Sequence, residues 1–131
     1  MLPNTAVVTL LALLLYFYMS LNVGRARVKF GVKAPATSGQ PDFERVFRVH
    51  MNTLEWMPIF FPSLWLCAVY VSDFVAAALG IVWIIGRIVY MTGYTKAAEK
   101  RDIGFGIQAL AVGILFVGAL IGIVLRLIQG G

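Results

Sequence analysis

The run Arg45-Val46-Phe47-Arg48-Val49-His50-Met51-Asn52-Thr53-Leu54-Glu55-Trp56-Met57-Pro58 opens a long apolar segment that continues to Tyr70. By length and composition the whole segment reads as a membrane span. Its first half nevertheless carries two arginines, an asparagine and a glutamate. On a helix turning about 100° per residue from Arg45, Arg48 falls at about 300°, Asn52 at about 340° and Glu55 at about 280°. These four residues form one stripe roughly 80° wide. An ionisable group at membrane depth costs about 2.5–3.5 kcal/mol on insertion scales. A stripe of them therefore faces a shared polar pocket, and the remainder of the chain is what builds it.

The 131 residues are 60% hydrophobic and only 13% charged. A soluble domain has about 45–50% apolar and about 25% charged residues, so this composition points to the membrane. The length allows four spans and one domain, residues 1–131. The net charge of +5 invites a nucleic-acid reading. The basic residues gather at two membrane edges, however, where positive-inside topology accounts for them, and no nucleic-acid partner is expected. Cys67 is the single cysteine and sits between Leu66 and Ala68, where it reads as a small packing residue. No His/Cys/Asp/Glu cluster has metal-ligand spacing, and no Ser/His/Asp set is visible.

The expected architecture is an all-α membrane protein, a four-helix bundle with helices at about 4–28, 42–70, 74–100 and 103–128. The first apolar run, Ala6 to Val23, has no basic residue before it and ends at Arg25, Arg27 and Lys29. It reads as a retained helix with Asn4 or Thr5 as its cap. Gly31, Pro35, Ser38, Gly39 and Pro41 mark a loop. Pro58 and Pro62 fall inside the second helix and point to a bent span, which would open a crevice. The third helix, continued past its apolar core, places Arg87, Tyr90, Tyr94 and Arg101 within one second stripe. Gly113, Gly118 and Gly122 recur along the fourth, with Gly118 and Gly122 in small-xxx-small spacing. Loop one holds Arg25, Arg27, Lys29 and Lys33, and loop three holds Lys96, Lys100 and Arg101. Both loops are expected on the cytosolic side, with the polar stripes at that end.

The second and third helices run in opposite directions, so their stripes meet at one depth. The surplus of guanidinium and phenol around a single buried carboxylate, Glu55, suits a small ligand with carboxylates and an amine. Arginines take carboxylates bidentately, and the glutamate takes the ammonium. His50 lies about 140° from Arg45 and points away from the stripe. Snorkelling and interfacial tyrosines explain Arg25, Lys33, Lys96 and Lys100 well, but not Asn52 and Glu55, which lie two to three turns inside the span.

The run Phe43-Glu44-Arg45-Val46-Phe47-Arg48, then Asn52, Glu55 and Pro58, followed by Arg87-Ile88-Val89-Tyr90-Met91-Thr92-Gly93-Tyr94, resembles the MAPEG family, the membrane-associated proteins in eicosanoid and glutathione metabolism. The branch it is most similar to is that of leukotriene C synthase and the microsomal glutathione transferases of types two and three. The resemblance spans nearly the whole chain. It implies a homotrimer with glutathione, as co-substrate, held between neighbouring protomers near the cytosolic face. It implies that Arg48, Asn52, Glu55, Trp56, Tyr90 and Tyr94 hold glutathione and that Arg101 activates its thiol. By the same resemblance, Arg27 and His50 reach the site of the adjacent protomer. Trp56 stands where the family has a tyrosine, and Val28 where the leukotriene synthase has an arginine.

The function that the resemblance implies is conjugation of glutathione to hydrophobic electrophiles or lipids drawn from the bilayer, in detoxification or eicosanoid metabolism. Reduction of lipid hydroperoxides is a second activity that it implies. Either a bacterial inner membrane or the endoplasmic reticulum would suit, with the active site facing the cytosol. The alternative is a non-catalytic lipid-binding scaffold like the five-lipoxygenase-activating branch. Retention of Arg48, Asn52, Glu55, Tyr94 and Arg101 argues against that. A small four-helix drug exporter would need a carboxylate in the first helix, and Ala6–Val23 holds none.

Overall fold

The computed structural model describes residues 1–130 and is all-helical over them. Four helices follow one another: α1 Pro3–Phe30, α2 Pro41–Tyr70, α3 Asp73–Lys96 and α4 Asp102–Ile128. One 3-10 turn, Ala98–Arg101, joins α3 to α4. The central pair α2 and α3 pack against each other and against both outer helices, which lie on opposite flanks. Three helices, α1, α3 and α4 with its preceding turn, are long and apolar enough to cross a membrane. The 30-residue α2 has the length too, but its polar stripe and two prolines lower its hydropathy.

Local chemistry sets most of the ends. Gly31 closes α1 in the left-handed conformation (φ 69°), where a Cβ would be strained, and its N–H returns to the Arg27 carbonyl. The Gln40 side chain accepts from the Asp42 N–H at 2.7 Å, while Glu44 reaches back to the Gly39 N–H at 2.8 Å. Ser72 caps α3 by accepting from the Val75 N–H. The start of α1 departs from expectation. Neither Asn4 nor Thr5 caps it; instead the Asp73 carboxylate, from the first turn of α3, accepts from both their N–H groups at 3.1 and 2.8 Å. An anion at a helix N-terminus satisfies orphan donors and complements the dipole.

The third helix also departs from expectation, ending at Lys96 rather than near residue 100. Ala97 is extended (φ −162°, ψ 140°), and the chain folds back in the 3-10 turn. Glycine makes this return possible. A Cβ on Gly93 would lie 2.4 Å from the Lys100 carbonyl oxygen, and one on Gly104 would lie 2.1 Å from the Tyr90 nitrogen. The backbones of α3 and α4 thus touch at Gly104. On the α4 stripe, Gly113 has open space, Gly118 meets only the Cys67 sulfur at 3.9 Å, and Gly122 alone packs tightly, against the Tyr70 carbonyl.

The bundle centre is a stack of Phe60 on Trp83, centroids 3.9 Å apart and nearly parallel. Leu64, Cys67 and Leu115 are buried around it, Cys67 as a packing residue. The Trp83 Nε1–H donates to Gln108 Oε1 at 3.0 Å, which satisfies the indole within the core. The α2 helix runs unbroken through Pro58 and Pro62, both of which are exposed.

Candidate functional site

An open cleft of about 640 Å³ lies where α2, α3 and the start of α4 meet, at the end of the bundle that carries the basic loops. One wall is the α2 stripe: Arg48, Asn52 and Glu55, with Met51. Tyr90 and Tyr94 come from α3, and their rings meet edge to face at 5.4 Å. Arg101, Asp102 and Phe105 close the third side. The volume is typical of a small-molecule site, for which about 300–1,000 Å³ is usual. The cleft thus gathers six of the nine residues singled out from sequence: Arg48, Asn52, Glu55, Tyr90, Tyr94 and Arg101.

Arg101 arrives by a different route than a continued α3 would give. It ends the 3-10 turn, donates to the Ala98 carbonyl at 3.0 Å and sits 5.7 Å from the Tyr94 ring centroid. The other three singled-out residues lie outside this cleft. Trp56 stands behind the wall, with its indole edge-on to Phe105 at 5.5 Å. Arg27 donates to the Ala36 carbonyl at 2.8 Å and lies over the Phe43 ring. His50 faces α1, stacked on Tyr16 at 4.6 Å, and both its ring nitrogens lack a hydrogen-bond partner among the described residues. Arg45 also leaves the stripe it shared on the helical wheel. It pairs with Asp42 and donates to the Thr95 carbonyl, so the α1–α3 side claims it.

The cleft is electrostatically unfinished. Arg48 and Glu55 are exposed, not buried, and neither has a hydrogen bond or ion pair among the described residues. They are seven residues apart on α2, about 10 Å along the axis, too far to neutralise each other. Asp102, which sequence reasoning missed as a lining group, adds a second carboxylate at the mouth. Its position in the first turn of α4 was visible, but its approach to the stripe depends on the fold-back at Gly93.

Beneath the cleft lies Arg87, fully buried. Its Nη1 donates to Asn52 Oδ1 at 2.8 Å and approaches Thr53 Oγ1 at 3.5 Å. The guanidinium lies between the faces of Trp83 and Tyr90, 5.6 and 5.0 Å from their centroids. Arginine is donor-only, so the contact identifies the Asn52 oxygen and leaves its NH₂ as the free group. A buried cation thereby orients one cleft residue and supports the ring of another. The site as a whole can bind an ampholyte: guanidinium for carboxylate, carboxylate for ammonium, amide and phenol for the atoms between.

Among known proteins, the MAPEG family model matches residues 5–121, the greater part of the chain. This chain belongs to the MAPEG family. An uncharacterized protein of Synechocystis sp. is 53% identical over 124 residues, covering 95% of this chain and 90% of the relative. Human microsomal glutathione S-transferase 2 is 44% identical over 117 residues, with coverages of 89% and 78%. Rat leukotriene C4 synthase is 38% identical over 125 residues, with coverages of 95% and 83%. Membership of MAPEG and the long apolar helices make this an integral membrane protein. At the level of that family, the relatives' names carry glutathione-conjugating activity.

Proposed function

We propose that this chain is a membrane-bound glutathione transferase that joins the glutathione sulfur to hydrophobic electrophiles from the bilayer. The observation that carries the reading is the open cleft with Arg48 and Glu55 on one wall and Arg101 on another, none of them in an ion pair among the described residues. Glutathione supplies the complementary groups: two carboxylates, one ammonium and a thiol. Arg48 takes a carboxylate, the Asn52 NH₂ donates to a second acceptor, and Glu55 receives the ammonium. Tyr90 and Tyr94 offer phenols along the peptide, and Trp56 backs the wall through Phe105.

Arg101 is the group assigned to the chemistry. A free thiol has a pKa of about 8.5. A guanidinium beside it favours thiolate over thiol and lowers that value. The thiol proton passes to solvent through the open mouth. The thiolate lone pair then forms the C–S bond, while the electron pair of the bond broken in the electrophile leaves with its oxygen or halide. Holding the thiolate at the bilayer edge, where apolar substrates concentrate, supplies much of the acceleration. Reduction of lipid hydroperoxides would draw on the same thiolate.

Arg27 and His50 turn away from their own chain's cleft, which supports placing them at that of a neighbouring copy in a homotrimer. The basic loops beside the cleft favour a cytosolic orientation. Conjugation by purified protein of glutathione to chlorodinitrobenzene is the expected result. Absence of both conjugate and glutathione binding would overturn the reading.

A further inference from the structure

Two recesses lie along α1 and α3, and neither shares a lining residue with the polar cleft. Toward the middle of the bundle lies an apolar trough of about 610 Å³, lined on α1 from Leu11 to Leu21 and on α3 by Ile81, Ile84 and Ile88. Leu14 is 64% exposed there, as a groove open to hydrocarbon requires. Farther along the same two helices lies a basic recess of about 460 Å³. Its α1 side carries Asn22, Arg25 and Lys29, its α3 side Thr95 and Lys96, and α2 closes it with Asp42, Arg45 and Val46.

The two recesses are one helical stripe read along its length. On α1 the positions 11, 14, 18, 21, 25 and 29 recur at spacings of three and four residues, and apolar residues give way to cations after Leu21. The charge in the basic part is not spent internally. Arg45 also lines it but is neutralised by Asp42. Arg25, Lys29 and Lys96 have no carboxylate partner among the described residues. Arg25 meets only Asn22, at 3.4 Å, and Lys29 lies over the Phe30 ring. A trough shaped for an acyl chain therefore ends in three uncompensated cations at a membrane edge.

We propose that the α1–α3 groove is a site for one anionic phospholipid, with an acyl chain along Leu14 and Ile88 and the phosphate headgroup among Arg25, Lys29 and Lys96. Basic pockets between membrane helices at this level suit anionic headgroups, and each cation strengthens the attraction. The site is separate from the glutathione reading and stands without it.

The full chain, exchanged into vesicles of equal parts phosphatidylglycerol and phosphatidylcholine with identical acyl chains, is re-extracted and weighed by native mass spectrometry. The expected result is one retained phosphatidylglycerol per chain, favoured about tenfold or more over phosphatidylcholine. The preference falls to parity in R25Q/K29Q/K96Q, and Leu14→Trp lowers retention of both lipids. Should the triple variant not fold, Lys96→Gln alone and a rise in salt must each reduce the preference in stable protein. Equal retention of the two lipids by the wild type would overturn the proposal. So would competition by glycerol phosphate as strong as that of the whole lipid, which would leave a headgroup site without a chain. Cross-linking of Leu14→Cys chains to one another would show a second copy in the groove and would also overturn it.

Discussion

Arg87 Nη1 donates to Asn52 Oδ1 across 2.8 Å, tying α3 to α2 directly beneath the polar cleft. The other two guanidinium nitrogens, Nε and Nη2, are buried and have no partner among the described residues. The bond therefore orients Asn52 while the cation itself is incompletely satisfied. The two ends of the bond should respond differently to mutation. Asn52→Ala removes an acceptor and strands a buried charge, an effect of about 1.5–3 kcal/mol for a charged hydrogen bond. Arg87→Met removes the charge with a side chain of similar reach, so it should cost less stability or none. Both should weaken glutathione binding, because both lose the held amide. Thermal unfolding in detergent alongside calorimetric titration separates the two effects. Equal destabilisation by the two variants would contradict this reading of Arg87.

Glu55 is assigned to the ammonium of glutathione. The variant Glu55→Gln keeps the shape and loses the charge, so affinity for glutathione should fall by about tenfold, as for a lost charge-assisted bond of about 1.4 kcal/mol. An analogue without the amino group should bind wild type and variant alike. Titration of both ligands into both proteins gives a double-mutant cycle. A loss of equal size for the two ligands would move Glu55 away from the ammonium.

The α3–α4 crossing depends on glycine at a definite place. At Gly104 a Cβ would stand 2.1 Å from the Tyr90 nitrogen and 2.5 Å from its Cα, and backbone cannot rotate away as a side chain can. Gly104→Ala should therefore separate the helices and cost about 1–3 kcal/mol, as overpacking does. It should also disturb the cleft, since Tyr90 lines it. Gly113 has nothing within 4 Å, and Gly113→Ala should be neutral or stabilising by up to about 1 kcal/mol through helix propensity. Midpoints of thermal unfolding for the two variants check the contrast.

Much of this was legible in the chain itself. Helical counting on α2 put Arg48, Asn52 and Glu55 on one face because side-chain direction in a long helix follows from spacing alone. The same count failed for Arg45, whose long side chain is drawn aside by Asp42 and the Thr95 carbonyl. For Arg101 it reached the right cleft by the wrong route, because Ala97 leaves the helix and the Gly93 contact folds the turn back. Partnerships across the fold were out of reach: Asp73 lies 68 residues from Thr5, whose N–H it caps. Arg87 was visible on the second stripe, yet nothing local indicated that it lies under the site rather than in it. The glycine stripe on α4 was only partly informative, since spacing does not say which face meets a neighbour: Gly122 packs tightly, Gly113 and Gly118 do not, and the nearest approach is at Gly104.

The central claim is that the Arg101 guanidinium generates the glutathione thiolate in the cleft. Ultraviolet absorbance of the thiolate, recorded as purified protein is mixed with glutathione, tests it most directly. Wild type should give the thiolate signal at neutral pH, below the ordinary thiol range. Arg101→Ala should abolish that signal while calorimetry still registers glutathione binding through Arg48, Asn52 and Glu55. A thiolate signal of undiminished size in Arg101→Ala would contradict the account.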